Sequence, residues 1–75
     1  MTMKLSEMSA GSKVIIETIC HPFLSTKLTE MGMLSGTELE LLYKAPLGDP
    51  IAIRVKGFTV CLRLDEAKYI HVDYL

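Results

Sequence analysis

The sequence predicts a mainly β protein, a small barrel of about five strands with one short α-helix inserted after the first strand. Apolar residues alternate with polar ones through most of the chain after Gly36, which is the period of half-buried strands. One earlier segment has a helical period instead. With only 75 residues, a flat sheet would leave two edges and one apolar face in water, whereas a rolled sheet removes both problems. We therefore expect a single domain, residues 1–75.

The first strand and the helix follow each other closely. Residues 14–20 are short and rich in β-branched side chains, which predicts a strand. Pro22 suits the first position of a helix, where its missing N–H is not needed. The helix is predicted from Pro22 to Met31, with Gly32 ending it in the left-handed conformation. Its predicted core-facing residues are Leu24, Leu28 and Met31.

The three strands after Gly36 can be placed in register. A turn at residues 45–50 and a two-residue hairpin at Lys56-Gly57 connect them. Val55 opposite Phe58, and Glu40 opposite Arg54, place the alternating apolar residues on one face, and a one-residue slip would expose them all. The inward set is Leu39, Leu41, Tyr43, Ile51, Ile53, Val55, Phe58, Val60 and Leu62.

The opposite face carries two predicted cross-strand rows, and the chain ends in a further strand. The rows are Glu40–Arg54–Thr59 and Leu42–Ala52–Cys61. Residues 65–67 predict one helical turn, and residues 69–74 the last strand. Strands this short favour an SH3-like barrel over an OB-type barrel, which usually needs longer and more curved strands.

Charge and hydropathy exclude several classes of function. The net charge is −1, with eight basic and nine acidic residues spread along the chain, so there is no basic patch for nucleic acid. No apolar run approaches the roughly 20 residues of a membrane-spanning helix. The N-terminal residues also lack the apolar region of a secretory signal. We expect a cytoplasmic protein without nucleic-acid binding or membrane insertion.

Catalytic motifs are absent. The five glycines are isolated, so no loop cradles phosphate, and no serine has the flanking residues of a nucleophile elbow. A Cys61–His71 pair lacks an identifiable third group to orient the histidine. The sequence predicts that the protein is not an enzyme and has neither catalytic residues nor a cofactor.

Four residues are candidate ligands for Fe²⁺ or Zn²⁺, but their spacing is unfavourable. They are Cys20, His21, Cys61 and His71. Metal sites usually present two ligands from one local element, as in C-x-x-C. Here the only close pair is adjacent on a strand, where neighbouring side chains point to opposite faces. We expect buried free thiols, a histidine at the helix entry and an outward-facing His71.

The segment that follows the helix is unusually apolar for a loop. Met33 and Leu34 are either tucked beneath the barrel or left free for a partner, and the sequence leaves both open. Apolar residues of the helix and its exit exceed what one barrel end needs. We therefore predict a partner-binding surface comprising Phe23, Lys27, Met33 and Leu34.

A series of residues spanning nearly the whole chain resembles the ferrous-iron transport protein A (FeoA) family. The matching positions are Leu5, Gly11, Leu28, Met31-Gly32, Gly36, Leu47-Gly48-Asp49-Pro50, Gly57, Leu62-Arg63, Glu66-Ala67 and Ile70-His71-Val72. Each element is weak alone, but their order and spacing together are specific. Ser35 departs from the family, which usually has proline before Gly36.

The resemblance implies an SH3-like barrel that assists ferrous-iron uptake. Its partner would be FeoB, a membrane transporter with a cytoplasmic GTP-binding domain, and the role would be regulation by contact rather than catalysis. Such a protein would sit at the inner face of the membrane through its partner. The alternative is a metal-responsive module that binds Fe²⁺ or Zn²⁺ itself. Self-association through open barrel edges is left open.

Overall fold

A computed structural model describes residues 2–75 and confirms a mainly β fold. The elements are β1 (Met3–Lys4), a 3₁₀ helix (Leu5–Glu7), β2 (Lys13–Ile19), α1 (Pro22–Glu30), β3 (Glu38–Lys44), β4 (Ile51–Val55), β5 (Phe58–Leu62), α2 (Leu64–Ala67) and β6 (Ile70–Tyr74). The helix and the later strands begin and end within one or two residues of their predicted bounds. Within residues 2–75, no helix combines the length and apolar character needed to cross a bilayer.

The strands form one antiparallel sheet in the order β1-β6-β2-β3-β4-β5. The last strand therefore lies between the first two, and Val72 of β6 is paired with Met3 on one side and Ile16 on the other. There are six strands rather than about five, because β1 is only two residues long and too short to show alternation. In the described residues β1 and β5 form no ladder with each other, so the barrel is open between them.

One hydrophobic core lies inside the sheet. Every strand from β2 to β6 contributes to it, together with both α-helices, the 3₁₀ helix and Met33. Its fully buried larger side chains are Leu5, Ile16, Leu28, Met33, Leu41, Ile51, Ile53, Ile70, Val14, Val55 and Val72. In so small a domain this single cluster supplies nearly all of the apolar burial that stabilises the fold.

The predicted register is confirmed along β4–β5 and at the start of β3–β4. Val55 pairs with Phe58, and Glu40 pairs with Arg54 at an ion-pair distance of 3.8 Å. Past Leu41 a β-bulge places Tyr43, not Leu42, opposite Ala52. The predicted Leu42–Ala52 pairing is therefore wrong, although Ala52 does pair with Cys61. A bulge sets two residues against one and leaves no trace in the alternation.

Tyr43 and Phe58, both predicted to face inward, are largely outside the core, each for a local structural reason. The bulge turns Tyr43 outward, and it is 56% exposed. Phe58 is also exposed, because it immediately follows the Lys56-Gly57 turn at the end of the hairpin. The inward prediction is wrong for Tyr43 and only partly right for Phe58, while the other seven members of the inward set are buried.

Helix α1 ends in a Schellman motif, which corrects the predicted role of Met31. The Gly32 N–H donates to the Thr29 carbonyl, and the Met33 N–H donates to the Leu28 carbonyl, at 2.9 and 2.8 Å. Gly32 has the positive φ of +85° that this cap requires. The chain reverses here, so Met31 is exposed and Met33 is buried. The usual apolar contact of this motif joins the positions that Leu28 and Met33 occupy.

The loop between α1 and β3 is stabilised by the hydroxyl of Thr37, the one polar side chain that is buried in the described part of the chain. Its Oγ1 accepts from the Leu34 N–H at 3.2 Å and donates to the Gly32 carbonyl at 3.3 Å. The Ser35 hydroxyl donates to the Glu17 carbonyl at 2.7 Å, which joins the loop to β2. Ser35 thus contributes a hydrogen bond that proline could not make.

We expect Thr37→Val to lower the free energy of unfolding by about 1–3 kcal/mol, because it leaves two partly buried backbone groups, the Leu34 N–H and the Gly32 carbonyl, without this partner. Thr37→Ser retains the hydroxyl and should lose less. Urea denaturation followed by circular dichroism measures both. A Val variant as stable as the parent would show that these two hydrogen bonds do not stabilise the loop.

Candidate protein-interaction site

A cleft of about 270 Å³ lies between the first half of α1 and the single turn of α2. Its lining residues are His21, Phe23, Leu24, Lys27, Asp65, Glu66 and Tyr69. The interior is apolar, and charged groups lie at the rim. Binding sites commonly combine an apolar concavity with a few polar groups that set orientation. We refer to this feature as the α1–α2 cleft.

Its first wall is built by the start of α1. His21 is the N-cap, and its Nδ1 accepts a hydrogen bond from the Leu24 N–H at 3.3 Å. The predicted role of His21 as a helix-entry residue is confirmed. Its ring contacts Tyr69 edge to face, with 4.9 Å between centroids, and Phe23 at 6.2 Å. Phe23 itself is 83% exposed, so an aromatic ring stands at the mouth of the cleft on a capped helix.

The second wall is α2, which is fixed from both directions. The Leu64 N–H donates to Oδ1 of Asp49 at 3.1 Å, which ties α2 to the loop before β4. Glu66 accepts from the Arg63 N–H through Oε1, and its Oε2 lies 3.6 Å from Lys27 Nζ. The Lys27–Glu66 ion pair therefore bridges α1 and α2. It is largely exposed, so it orients the walls more than it stabilises them.

The remaining charge at the rim is acidic. The Asp65 side chain is 90% exposed, and its nearest cation, Lys68 Nζ, lies 4.0 Å away at the limit of an ion pair. Lys68 also lies over the Tyr69 ring, 5.3 Å from its centroid. Because Lys27 is engaged with Glu66, Asp65 is the carboxylate at the cleft with the weakest partner.

The four residues of the predicted partner-binding surface separate into three places. Phe23 and Lys27 both line the α1–α2 cleft. Leu34 lies elsewhere, in a wide, shallow groove that is otherwise lined by residues 35–38 and Lys56. Met33 is fully buried, so its side chain has no surface to offer a partner. That part of the prediction is corrected, because the Schellman motif directs Met33 into the core.

The candidate metal ligands do not assemble. Cys20 and Cys61 are free and exposed, so the predicted burial of both thiols is wrong. Cys20 lies just beyond the end of β2, and Cys61 lies on the outer face of the end strand β5. His71 is half-buried on β6, opposite Thr18. No group of three His, Cys, Asp or Glu side chains that could hold a metal occurs within residues 2–75.

His21 is also a poor ligand for chemical reasons. An imidazole nitrogen that accepts a hydrogen bond carries no proton, so the neutral ring holds its proton on Nε2. If Nε2 coordinated a metal, the proton of the neutral ring would move to Nδ1. Nδ1–H and the Leu24 N–H would then be two donors facing each other, and the hydrogen bond between them would be lost. The ring can bind a metal through Nε2 only by giving up the N-cap. These residues do not fit an Fe²⁺ or Zn²⁺ site within one chain.

The sequence did not predict the wall of the cleft that is formed by Asp65, Glu66 and Tyr69. Residues 65–67 were predicted as one helical turn and residues 69–74 as a strand, and neither was given a part in binding. The available signal was Glu66 three residues after Arg63, the spacing at which a carboxylate caps the start of a helix. Nothing local indicates that this helical turn packs beside α1, because the approach depends on the whole barrel.

Comparison with known proteins identifies the family. The FeoA domain model matches residues 3–74. The chain belongs to the FeoA domain family. A Porphyromonas gingivalis protein named "Fe(2+) transport protein A/Fe(2+) transporter FeoB fusion protein" is 31% identical over 74 residues, which are 97% of this chain and 9% of that protein. This FeoA domain thus spans less than a tenth of the fusion relative.

Solved FeoA structures share the fold. The NMR structure of a FeoA-like protein from Clostridium acetobutylicum has 40% identity and a TM-score of 0.90, covering 99% of this chain and 87% of that one. A Stenotrophomonas maltophilia FeoA complexed with zinc, described as a unique procaryotic SH3 domain protein, has 29% identity and a TM-score of 0.80, covering 95% and 89%. The predicted SH3-like fold is confirmed, and the Porphyromonas gingivalis relative is named for Fe(2+) transport.

We expect Met33→Ala and Leu34→Ala to differ sharply in stability. Met33→Ala opens a cavity in the core and should lower the free energy of unfolding by about 2–5 kcal/mol. Leu34 is partly exposed, so Leu34→Ala should change it by less than about 1 kcal/mol. Thermal and urea unfolding of the two variants provide the measurement. Equal losses would contradict the burial of Met33 and the exposure of Leu34.

Proposed function

We propose that this FeoA domain is an accessory module of ferrous-iron uptake that docks on the cytoplasmic GTP-binding domain of a FeoB-type transporter. The observation that carries the proposal is the Porphyromonas gingivalis relative, whose name joins an Fe(2+) transport protein A to an Fe(2+) transporter FeoB in one chain. Two domains that are covalently joined in one organism are good candidates for a non-covalent complex in another.

A domain that is not tethered to its partner must supply the binding affinity itself. A short flexible linker gives a domain an effective concentration on the order of millimolar at its partner, so even a weak contact is occupied. A separate chain has no such help and needs a surface with its own affinity. The α1–α2 cleft, with Phe23 at its mouth and an ion pair across its walls, provides a preorganised surface of this kind.

The proposal assigns the domain a role by contact rather than by catalysis. It also places the protein in the cytoplasm, at the inner face of the membrane through its partner. Of the predicted contact residues, Phe23 and Lys27 line the cleft, and Leu34 remains a separate exposed candidate. Binding at the GTP-binding domain would allow the module to respond to the nucleotide state of the transporter.

We expect the purified chain to bind the GTP-binding domain of the FeoB-type transporter from the same organism with a micromolar or tighter Kd, the range reached by interfaces of standard size. Isothermal titration calorimetry should be run with GDP, with a non-hydrolysable GTP analogue and without nucleotide. Deleting the chain in cells should also alter ferrous-iron uptake. Absence of binding in all three states, together with unchanged uptake, would overturn the proposal.

A second candidate function is direct binding of Fe²⁺ or Zn²⁺, which is favoured by the zinc complex of the Stenotrophomonas maltophilia FeoA. The poor fit of the four candidate ligands in one chain argues against a specific site. We expect titration with Zn²⁺, or with Fe²⁺ under anaerobic conditions, to give no stoichiometric binding at micromolar metal. Stoichiometric metal that is lost in Cys20→Ser or Cys61→Ser would instead establish the metal-binding function.

A further inference from the structure

We propose that the α1–α2 cleft receives one apolar side chain from a segment of the transporter's GTP-binding domain, and that a lysine or arginine of the same segment pairs with Asp65. This inference rests on the proposed function and deepens it by naming the surface and the chemistry of its partner. It is carried by three features of the cleft: its apolar interior, the rigidity of its walls and the uneven charge of its rim.

The interior suits a single apolar side chain. Leu24 is buried behind the cleft as part of the core, and Tyr69 packs against that core. Phe23 extends this apolar surface outward and is 83% exposed. A volume of about 270 Å³ accommodates one large side chain but not a folded element. Aromatic residues are enriched at protein interfaces and among the few residues that dominate binding energy, so Phe23 is suited to anchor a partner here.

The walls are already in place, so little ordering is required on binding. Pro22 and the His21 cap fix the first turn of α1. Asp49 and Glu66 fix the start of α2 through hydrogen bonds to the Leu64 and Arg63 N–H groups. A surface that does not have to reorganise loses less free energy when it binds, so more of the contact energy appears as affinity.

The rim determines the charge of the partner. Lys27 forms an ion pair with Glu66 at 3.6 Å, whereas Asp65 is 90% exposed and has Lys68 at 4.0 Å. Asp65 thus remains open to a cation brought by the incoming segment. Complementary charge at an interface rim speeds association and selects among partners. An acidic flanking residue would be disfavoured there, which is why we specify lysine or arginine.

The other large groove is a weaker candidate for the same partner. Its lining contains one apolar side chain, Leu34, and the rest comes from serine, glycine, threonine, glutamate and lysine. Its lysine and glutamate carry opposite charges, so it lacks the uneven rim that would select a basic segment. The comparison assigns the anchoring role to the α1–α2 cleft.

The test is titration of the full chain and its variants against the transporter's GTP-binding domain. Phe23→Ala should weaken the Kd by about tenfold or more, as loss of an interface anchor does. Asp65→Lys should slow association by about tenfold at low salt, with a smaller effect at high salt, because the charge acts by steering. Asp65→Asn should fall between the parent and Asp65→Lys.

Two matched variants serve as controls. Phe58→Ala removes an exposed aromatic ring from β5, and Glu30→Lys reverses an exposed charge at the last residue of α1. Both residues lie outside the cleft lining. Both should bind like the parent. Amide shifts of the ¹⁵N-labelled chain give a second readout, and they should change at Leu24, Lys27 and Tyr69 rather than at residues 34–38.

The outcomes separate the two proposals. Parent-like binding by both Phe23→Ala and Asp65→Lys, or shift changes confined to residues 34–38, would overturn the cleft as the docking site while leaving the docking function standing. Equal losses in the cleft variants and in the two controls would likewise overturn it. Failure of the parent chain to bind in any nucleotide state would remove the proposed function and this inference with it.

Discussion

The end of helix α1 is the constraint on which the rest of the molecule depends. A nine-residue helix has to be joined to β3 across the mouth of the barrel, and the Schellman motif at Gly32 makes the reversal with two backbone hydrogen bonds. The same reversal buries Met33, and residues 34–37 then return to β2 through the Thr37 and Ser35 hydroxyls. With its far end fixed in this way, α1 presents Leu24 and Leu28 to the core and leaves Phe23 pointing outward.

Helix α2, although only one turn long, is connected to both α1 and the loop before β4. Glu66 uses one carboxylate oxygen on the Arg63 N–H and the other toward Lys27 of α1, while Ala67 is buried beneath it. On its other side, Asp49 holds the Leu64 N–H. Several of the residues that carry the family resemblance, including Asp49 and Glu66-Ala67, therefore have identifiable structural roles. Asp49 and Glu66 fix the start of α2, whose residues Asp65 and Glu66 line the cleft.

The sequence predicted the elements, the hairpin register and the helix entry, because each is governed by local rules: period-two alternation, a two-residue turn, and proline after a capping residue. It did not predict the bulge after Leu41, since an extra residue in a strand follows from the curvature of the sheet. Nor did it predict that Met33 rather than Met31 would be buried in the core, although Gly32 indicated the reversal of the chain. The sequence predicted Phe23 and Lys27 of the cleft, whereas its second wall comes from a distant segment that is brought near only by the folded barrel.

The position of β6 has a consequence for how the chain folds as it is made. Because β6 lies between β1 and β2, these two strands lack their β6 partner until residues 70–74 have been synthesised. The β3–β4–β5 meander, whose pairings are local, can form earlier, and pairing between the two ends of a chain is slow since it closes the longest loop.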